Sequence, residues 1–363
     1  MKFLDEYRDP ALARRIADNI KALLSKMDQD ITIMEVCGTH TMSIARAGLR
    51  TMFQPGMRLL SGPGCPVCVT PNQYLDRAVA LSRRNDVIVT TFGDMMRVPG
   101  SSSNLYHERA QGADVKIVYS PLDALNIARE NSDRKVVFLA VGFETTAPTI
   151  AATIKQASNL KIDNFYALCG HKLVTPAMKA LVVDPELNIS GFLCPGHVSV
   201  IIGERPYDFL TEDYHIPCVI AGFEPVDVLE ALLMLARQIS GIEKVRVQNE
   251  YSRTVKPEGN LIALSLMDEV FETMDTPWRG LGTIPMSGYG ISEAYRSFDA
   301  ESEIEVEVEE TREHPGCICG SVLRGIKIPT DCILFKDVCH PGNPVGPCMV
   351  STEGTCAAYF KYG

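Results

Sequence analysis

Short apolar runs rich in β-branched residues recur through the first two thirds of the chain, at 31–36, 87–89, 115–118, 136–141, 165–168, 192–193 and 218–221. Each is too short for a buried helix, and branched side chains sit well on a pleated surface, so each reads as a strand. Between them stand helix starts of one form, a capping residue followed by proline at the first helical position: Asp9-Pro10, Thr70-Pro71, Ser120-Pro121 and Thr175-Pro176. Thr70 also has Gln73 three residues on, the spacing of a capping box. Strand alternating with helix implies an α/β fold with parallel sheets. Segments 137–144 and 217–224 both end in Gly-Phe-Glu, which hints at repeated βα units. Beyond about residue 242 the character changes. Glutamate takes every second position from 301 to 309, with Ile304, Val306 and Val308 between, the alternation of a half-exposed strand with a solvated acidic face. The tail after it is rich in Gly, Pro and Cys, as loops that wrap metal sites commonly are.

A chain of 363 residues has room for two or three domains with buried cores, so stability does not demand a metal. The formal net charge of -10 argues against nucleic acid or an anionic membrane as the main partner, leaving proteins and small molecules. The first twenty residues mix both charge signs and lack an apolar core, and nowhere do eighteen apolar residues run together. A cytoplasmic protein is expected. Twelve cysteines in this length fall below the roughly 8% at which a disulfide scaffold becomes the default. In a reducing cytosol, clustered thiols are more often catalytic or metal-bound.

Ligands of open parallel sheets bind beyond the carboxyl ends of the strands. The residues just past the apolar runs are polar and reactive. Residues 31–36 lead to Cys37-Gly-Thr-His40, and Leu59-Leu60 to a turn carrying Cys65-Pro-Val-Cys68. Residues 136–141 lead to Gly142-Phe-Glu-Thr-Thr146, 165–168 to Cys169-Gly-His171, and 192–193 to Cys194-Pro-Gly-His197. Cys37 and His40 fit a thiolate activated by imidazole, a pair of metal ligands, or a buried cysteine beside a surface histidine. Cys65 and Cys68 have redox spacing before a helix start, which favours thiolate and a reversible disulfide; zinc is the competing reading and needs a second pair such as Cys317 and Cys319. Glu144 reads as a crevice carboxylate, against a plain helix cap by Thr146 before Pro148. Cys169 with His171 and Cys194 with His197 are weaker signals, and Cys218 reads as packing. No Walker loop, dinucleotide-binding glycine motif or serine-esterase elbow is present.

Cys332, Cys339, Cys348 and Cys356 close the chain's cysteine pattern, with six, eight and seven residues between them. Four thiolates complete either a tetrahedral zinc site or a [4Fe-4S] cluster.

Taken together, Cys37-Gly-Thr-His40, the run from Gly62 to Pro71, Gly142-Phe-Glu-Thr-Thr-Ala-Pro148 and the terminal quartet resemble the hydrogenase maturation protein HypD family, with the motifs in family order over nearly the whole chain. The resemblance implies two similar Rossmann-like parallel-sheet α/β domains around a cleft, 47–122 and 13–46 with 123–242. It implies a third, mixed and irregular iron–sulfur domain, 1–12 with 243–363, where the chain ends meet. It further implies a scaffold, monomeric on its own, that assembles the Fe(CN)2CO group of [NiFe] hydrogenases with a HypC-type chaperone and a HypE-type cyanide donor. Carried over by position, Cys37 holds the transient iron jointly with a cysteine of HypC, beside His40. Cys65 and Cys68 form the dithiol pair near it, and Cys332, Cys339, Cys348 and Cys356 bind the [4Fe-4S] cluster. Many relatives have a second histidine where this chain has Met42, so a duty of that imidazole does not transfer. The resemblance takes in Cys317 and Cys319 without giving them a role. The rival from another class is an enzyme, a cluster-linked disulfide reductase acting on a protein disulfide through Cys65 and Cys68.

Overall fold

The computed structural model describes residues 5–363. Eleven strands form among them: β1 (Ile31–Glu35), β2 (Met57–Ser61), β3 (Val87–Thr91), β4 (Val115–Ile117), β5 (Lys135–Ala140), β6 (Phe165–Cys169), β7 (Gly191–Pro195), β8 (Cys218–Ala221), β9 (Val247–Asn249), β10 (Phe271–Trp278) and β11 (Gly282–Ile291). The apolar runs are all strands. β9, with Gln248 and Asn249, has no apolar run to announce it and is held at a sheet edge by main-chain pairing with β8.

The strands make two parallel sheets, ordered β2-β1-β7-β8-β9 and β4-β3-β5-β6, and an antiparallel hairpin, β10-β11. Helices cover both faces of the parallel sheets, as strands buried on two sides require. On one face of the five-stranded sheet, Ile31, Ile33 and Leu193 meet the helices Pro10–Leu24 and Pro225–Ile239. On its other face, Met34, Leu60, Phe192 and Ile220 share a core with Trp278 of the hairpin and with Cys319, Cys339, Cys348 and Cys356. The Cys-rich tail is therefore packed into the first sheet's core rather than hung from it.

Sheet membership cuts across the expected boundaries. β2 pairs with β1, although 46/47 was an expected border, and β5 and β6 pair into the sheet of β3, across 122/123. Of the segment expected to join the tail, residues 1–4 lie outside the described residues. Residues 5–12 touch both sides of the expected 242/243 border: Arg8 bonds Glu224 at 2.6 Å, and Tyr7 lies under the Arg253 guanidinium, within the 243–363 segment, at 3.8 Å. The two Gly-Phe-Glu turns are not equivalent either, since β5 neighbours the first strand of its sheet and β8 stands one place further out.

Two of the four expected caps form as read. Asp9 accepts the Ala11 N–H at 2.8 Å, and Ser120 closes a capping box with Asp123. Thr70 does not start a helix. Its hydroxyl turns back to the Pro66 carbonyl at 2.8 Å, ending the short helix Pro66–Val69, and the next helix begins at Asn72. Thr175 is displaced because the helix starts earlier, at Val174, where Glu144 of the β5 turn accepts the first N–H at 3.0 Å. A carboxylate from another element thus does the work of a local cap. The acidic alternation at 301–309 is not a strand: Ile304 is buried and Glu305, Glu307 and Glu309 face out, but no partner strand lies alongside. Arginines occupy its carbonyls instead, Arg77 at Glu301 and Arg84 at Glu305.

Glu144 is 2% exposed and its second oxygen has no protein partner. Burial lifts its carboxyl from the ordinary 4.5 to about 7. The folded state holds this proton more tightly than the unfolded chain does. Its contribution to stability is full below pH 4.5 and declines as pH rises to about 7. A displacement of that size is worth roughly 3 kcal/mol between the two forms. Glu144→Gln keeps the acceptor for Val174 and cannot ionise. The melting temperature of this variant, relative to the parent, should rise between pH 5 and pH 8; a constant difference would contradict the assignment.

Candidate functional site

Each parallel sheet reverses its strand order once. The first runs outward from β1 to β2 and resumes at β7 on the other side of β1; the second runs from β3 to β4 and resumes at β5. Such reversals leave a crevice between the loops that diverge there. Loops from both sheets open on the same cleft, of about 420 Å3: Cys37 and Thr39 after β1, His197 after β7, and Phe143, Thr145 and Thr146 after β5.

Cys37 precedes the helix Gly38–Arg46 in extended conformation (φ -146°, ψ 122°). The Thr39 and His40 N–H groups face its sulfur and favour the thiolate, though neither closes to a capping bond. Burial is the larger effect and, with the nearby Glu35 and Glu353 carboxylates, pushes the thiol up to about 12. His40 acts on Cys37 through this backbone N–H. Its ring is fully buried and turned away, donating Nε2–H to the Gly222 carbonyl at 2.8 Å, with Nδ1 unpartnered. Burial lowers it to about 4, so the imidazole is neutral at physiological pH. Phe223 is wedged between two imidazoles, its ring centroid 4.8 Å from His40 and 3.9 Å from His197.

The Cys65–Cys68 turn lies against Cys37 backbone to backbone. Gly38 donates to the Gly64 carbonyl at 2.8 Å and Gly62 to that of Glu35 at 2.7 Å. A Cβ at Gly64 would stand 2.1 Å from the Cys37 nitrogen, so only glycine allows the approach. Cys65 and Cys68 are joined as a disulfide with Cα atoms 5.2 Å apart, and both are buried. Cys65 itself caps the short helix Pro66–Val69, accepting the Cys68 N–H at 3.2 Å.

The terminal cysteines gather round an apolar recess lined by Cys317, Cys319, Cys332, Cys339 and Cys356 together with Leu334, Phe335 and Met349. Cys348 is fully buried beside Cys356 and Cys319 and shares hydrogen bonds with both. Cys317 and Cys319 thus stand with the quartet, their sulfurs meeting at Gly346. Among the described residues no three His, Cys, Asp or Glu side chains close on one point as ligands of a single ion do. Soft sulfur donors spread around a water-poor recess fit a multi-atom iron–sulfur group. Six sulfurs line or adjoin the recess, two more than a four-iron cluster takes.

One loop ties this region to the cleft. Glu353, between Cys348 and Cys356, accepts the Thr39 hydroxyl at 2.7 Å and packs on Gly38, where a Cβ would fall 2.5 Å from its own. Glu353 carried no motif, although its position inside the quartet was a usable signal. Glu35 was equally missed, despite being a charge at the end of an apolar strand. Other candidates fall away from the cleft. Glu144 points into the interior while its neighbours line the opening. His171 is buried against Phe271 and Tyr289 of the hairpin, with neither ring nitrogen partnered. Cys194 and Cys218 pair in the core of the first sheet.

Among the described residues no helix is long and apolar enough to cross a membrane. A sequence model of the family described as "Hydrogenase formation hypA family" (HypD) matches residues 11–363. The chain is 44% identical to the hydrogenase maturation factor HypD2 of Bradyrhizobium diazoefficiens, covering all of this chain and 97% of the relative. It is 46% identical to HypD of Rhodobacter capsulatus and 42% to HypD of Escherichia coli, over all of this chain and 98% of each. Motif order, the cleft at Cys37 and full-length similarity agree, and the chain belongs to the HypD family of hydrogenase maturation factors.

Proposed function

We propose that this protein is a redox-active scaffold, acting in the cytoplasm, on which the Fe(CN)2CO group of [NiFe] hydrogenases is assembled. One observation carries the reading: loops from the reversal points of both sheets open on a single thiol, Cys37, with a disulfide beside it and a thiol-rich recess adjoining that disulfide. The iron is cargo, held by Cys37 jointly with a cysteine of a HypC-type chaperone, and cyanide comes from a HypE-type donor. Low-spin iron(II) with strong-field diatomic ligands needs few protein bonds, so a thiolate shared between two proteins can hold it and later release it.

Cys37 is a thiol in the free protein, since burial keeps its proton on, and iron must displace that proton. His197 in the cleft wall and Glu353, bonded to Thr39, are placed to receive it. Reduction of Cys65–Cys68 consumes two electrons and two protons and gives two thiols beside Cys37. Cys332, Cys339, Cys348 and Cys356 would hold a [4Fe-4S] cluster, which when bound supplies electrons one at a time. The helix Pro66–Val69 packs against both Cys319–Leu323 and Pro347–Val350, so the disulfide adjoins that recess within the core.

The reductase reading has less support. Cys65 is 3% exposed and Cys68 is fully buried, out of reach of a protein disulfide unless the turn opens. Catalytic turnover of a thioredoxin-like substrate with reduced ferredoxin would reverse this preference.

Cys37→Ala should abolish the iron–diatomic infrared bands of the complex with a HypC-type partner, and unchanged bands would falsify the ligand role. Protein isolated without oxygen should absorb broadly near roughly 400 nm, where thiolate-to-iron charge transfer lies, and lose that colour on Cys348→Ser. A colourless, zinc-containing parent would overturn the cluster.

A further inference from the structure

Glu35 ends β1 with 2% of its surface exposed, and the function proposed above makes no use of it. A carboxylate so far from water is costly unless its oxygens are engaged. Here Oε2 accepts the Cys37 N–H at 2.9 Å and Oε1 the Thr41 hydroxyl at 2.5 Å. Burial raises the Glu35 carboxyl above the ordinary range, opposed by a side-chain hydrogen bond with Ser61 and by the nearby Arg50 guanidinium, which favour the charge. Arg50 is itself held by the Ser61 hydroxyl at 3.2 Å and the Tyr359 hydroxyl at 3.0 Å.

These bonds divide the amides at the helix start in a definite way. A helix leaves its first N–H groups without partners in the helix. The Gly38 N–H goes to Gly64, that of Thr41 to the Cys37 carbonyl, and that of Cys37 to Glu35. The N–H groups of Thr39 and His40 remain for the sulfur.

We propose that Glu35 is the positioning residue for Cys37: its grip on the Cys37 N–H and the Thr41 hydroxyl fixes the extended backbone that turns the sulfur into the cleft and onto two free amides. The consequence for iron rests on the function proposed above, whereas the positioning is a property of the free protein.

Glutamine copies the shape of glutamate but offers oxygen to only one of the two donors, and its NH2 meets the other donor head-on. Residue-resolved alkylation with iodoacetamide reads the result. Glu35→Gln should turn the Cys37 sulfur out of the cleft and off the two amides and lower its labelling rate about tenfold, although losing the Glu35 charge by itself favours the thiolate and would raise it; Thr41→Val, which spares that charge and the bond to Cys37, should lower it about threefold. Infrared bands of bound iron–diatomic groups should fall in the same order. Cys194 and Cys218, both fully buried, report folding. If they label in Glu35→Gln, the fold has opened and Thr41→Val decides. Parent-like or faster labelling of Cys37 in a folded variant overturns the assignment. Bands that survive Cys37→Ala overturn the iron reading alone, and slower labelling of Cys37 in Glu35→Gln would still uphold the role of Glu35.

Discussion

The close approach of two backbones at Cys37 and Gly64 is the constraint on which the site depends. Two adjacent parallel strands end there, and the turns beyond them exchange main-chain hydrogen bonds, Gly62 to Glu35 and Gly38 to Gly64. Main-chain bonds of this kind leave little slack, because each fixes two peptide planes rather than a side-chain rotamer. The thiol at the end of β1 and the disulfide after β2 are therefore set relative to one another by the sheet itself. Glycine at 64 is the condition for it, since any side chain would collide with the Cys37 nitrogen.

The tail is fastened to this junction at several points. Arg50 lies 4.4 Å over the Tyr359 ring as well as bonding its hydroxyl, and Glu353 bonds Thr39. Cys319, Cys339, Cys348 and Cys356 share a core with Met34 and Leu60 of the first sheet. Burial has opposite effects at two of the groups near the cleft, holding the Cys37 thiol protonated and the His40 imidazole neutral. Both have the same cause, the cost of charge away from water. The His40 ring is further committed to a backbone carbonyl.

Much of this was legible in the sequence. The apolar runs gave the strands because a strand buried on both faces leaves a continuous signature. The reactive residues after them were found because parallel sheets collect function at those ends. Caps were less legible: Thr175 lost its place to Glu144, a residue thirty positions before Val174 that no local pattern could join to it. The edge strand β9 and the sheet membership of β5 and β6 depend on pairing, which leaves no mark within a segment. His40 was found as a residue but not as a conformation, since its ring answers to Gly222, 182 positions away. Glu353 and Glu35 escaped because a lone carboxylate gains meaning only from what it touches.

The bond between Thr39 and Glu353 spans 314 residues of sequence. During synthesis Cys37 emerges early, and its sheet needs only strands up to β9 to pair. The acid that flanks it, and the loop that brings the acid, leave the ribosome late. For most of its production the chain therefore carries a thiol without the wall that completes its cleft. A polypeptide halted before the tail can hold every strand of the first sheet and still lack Glu353, so the finished cleft records that translation has reached the tail.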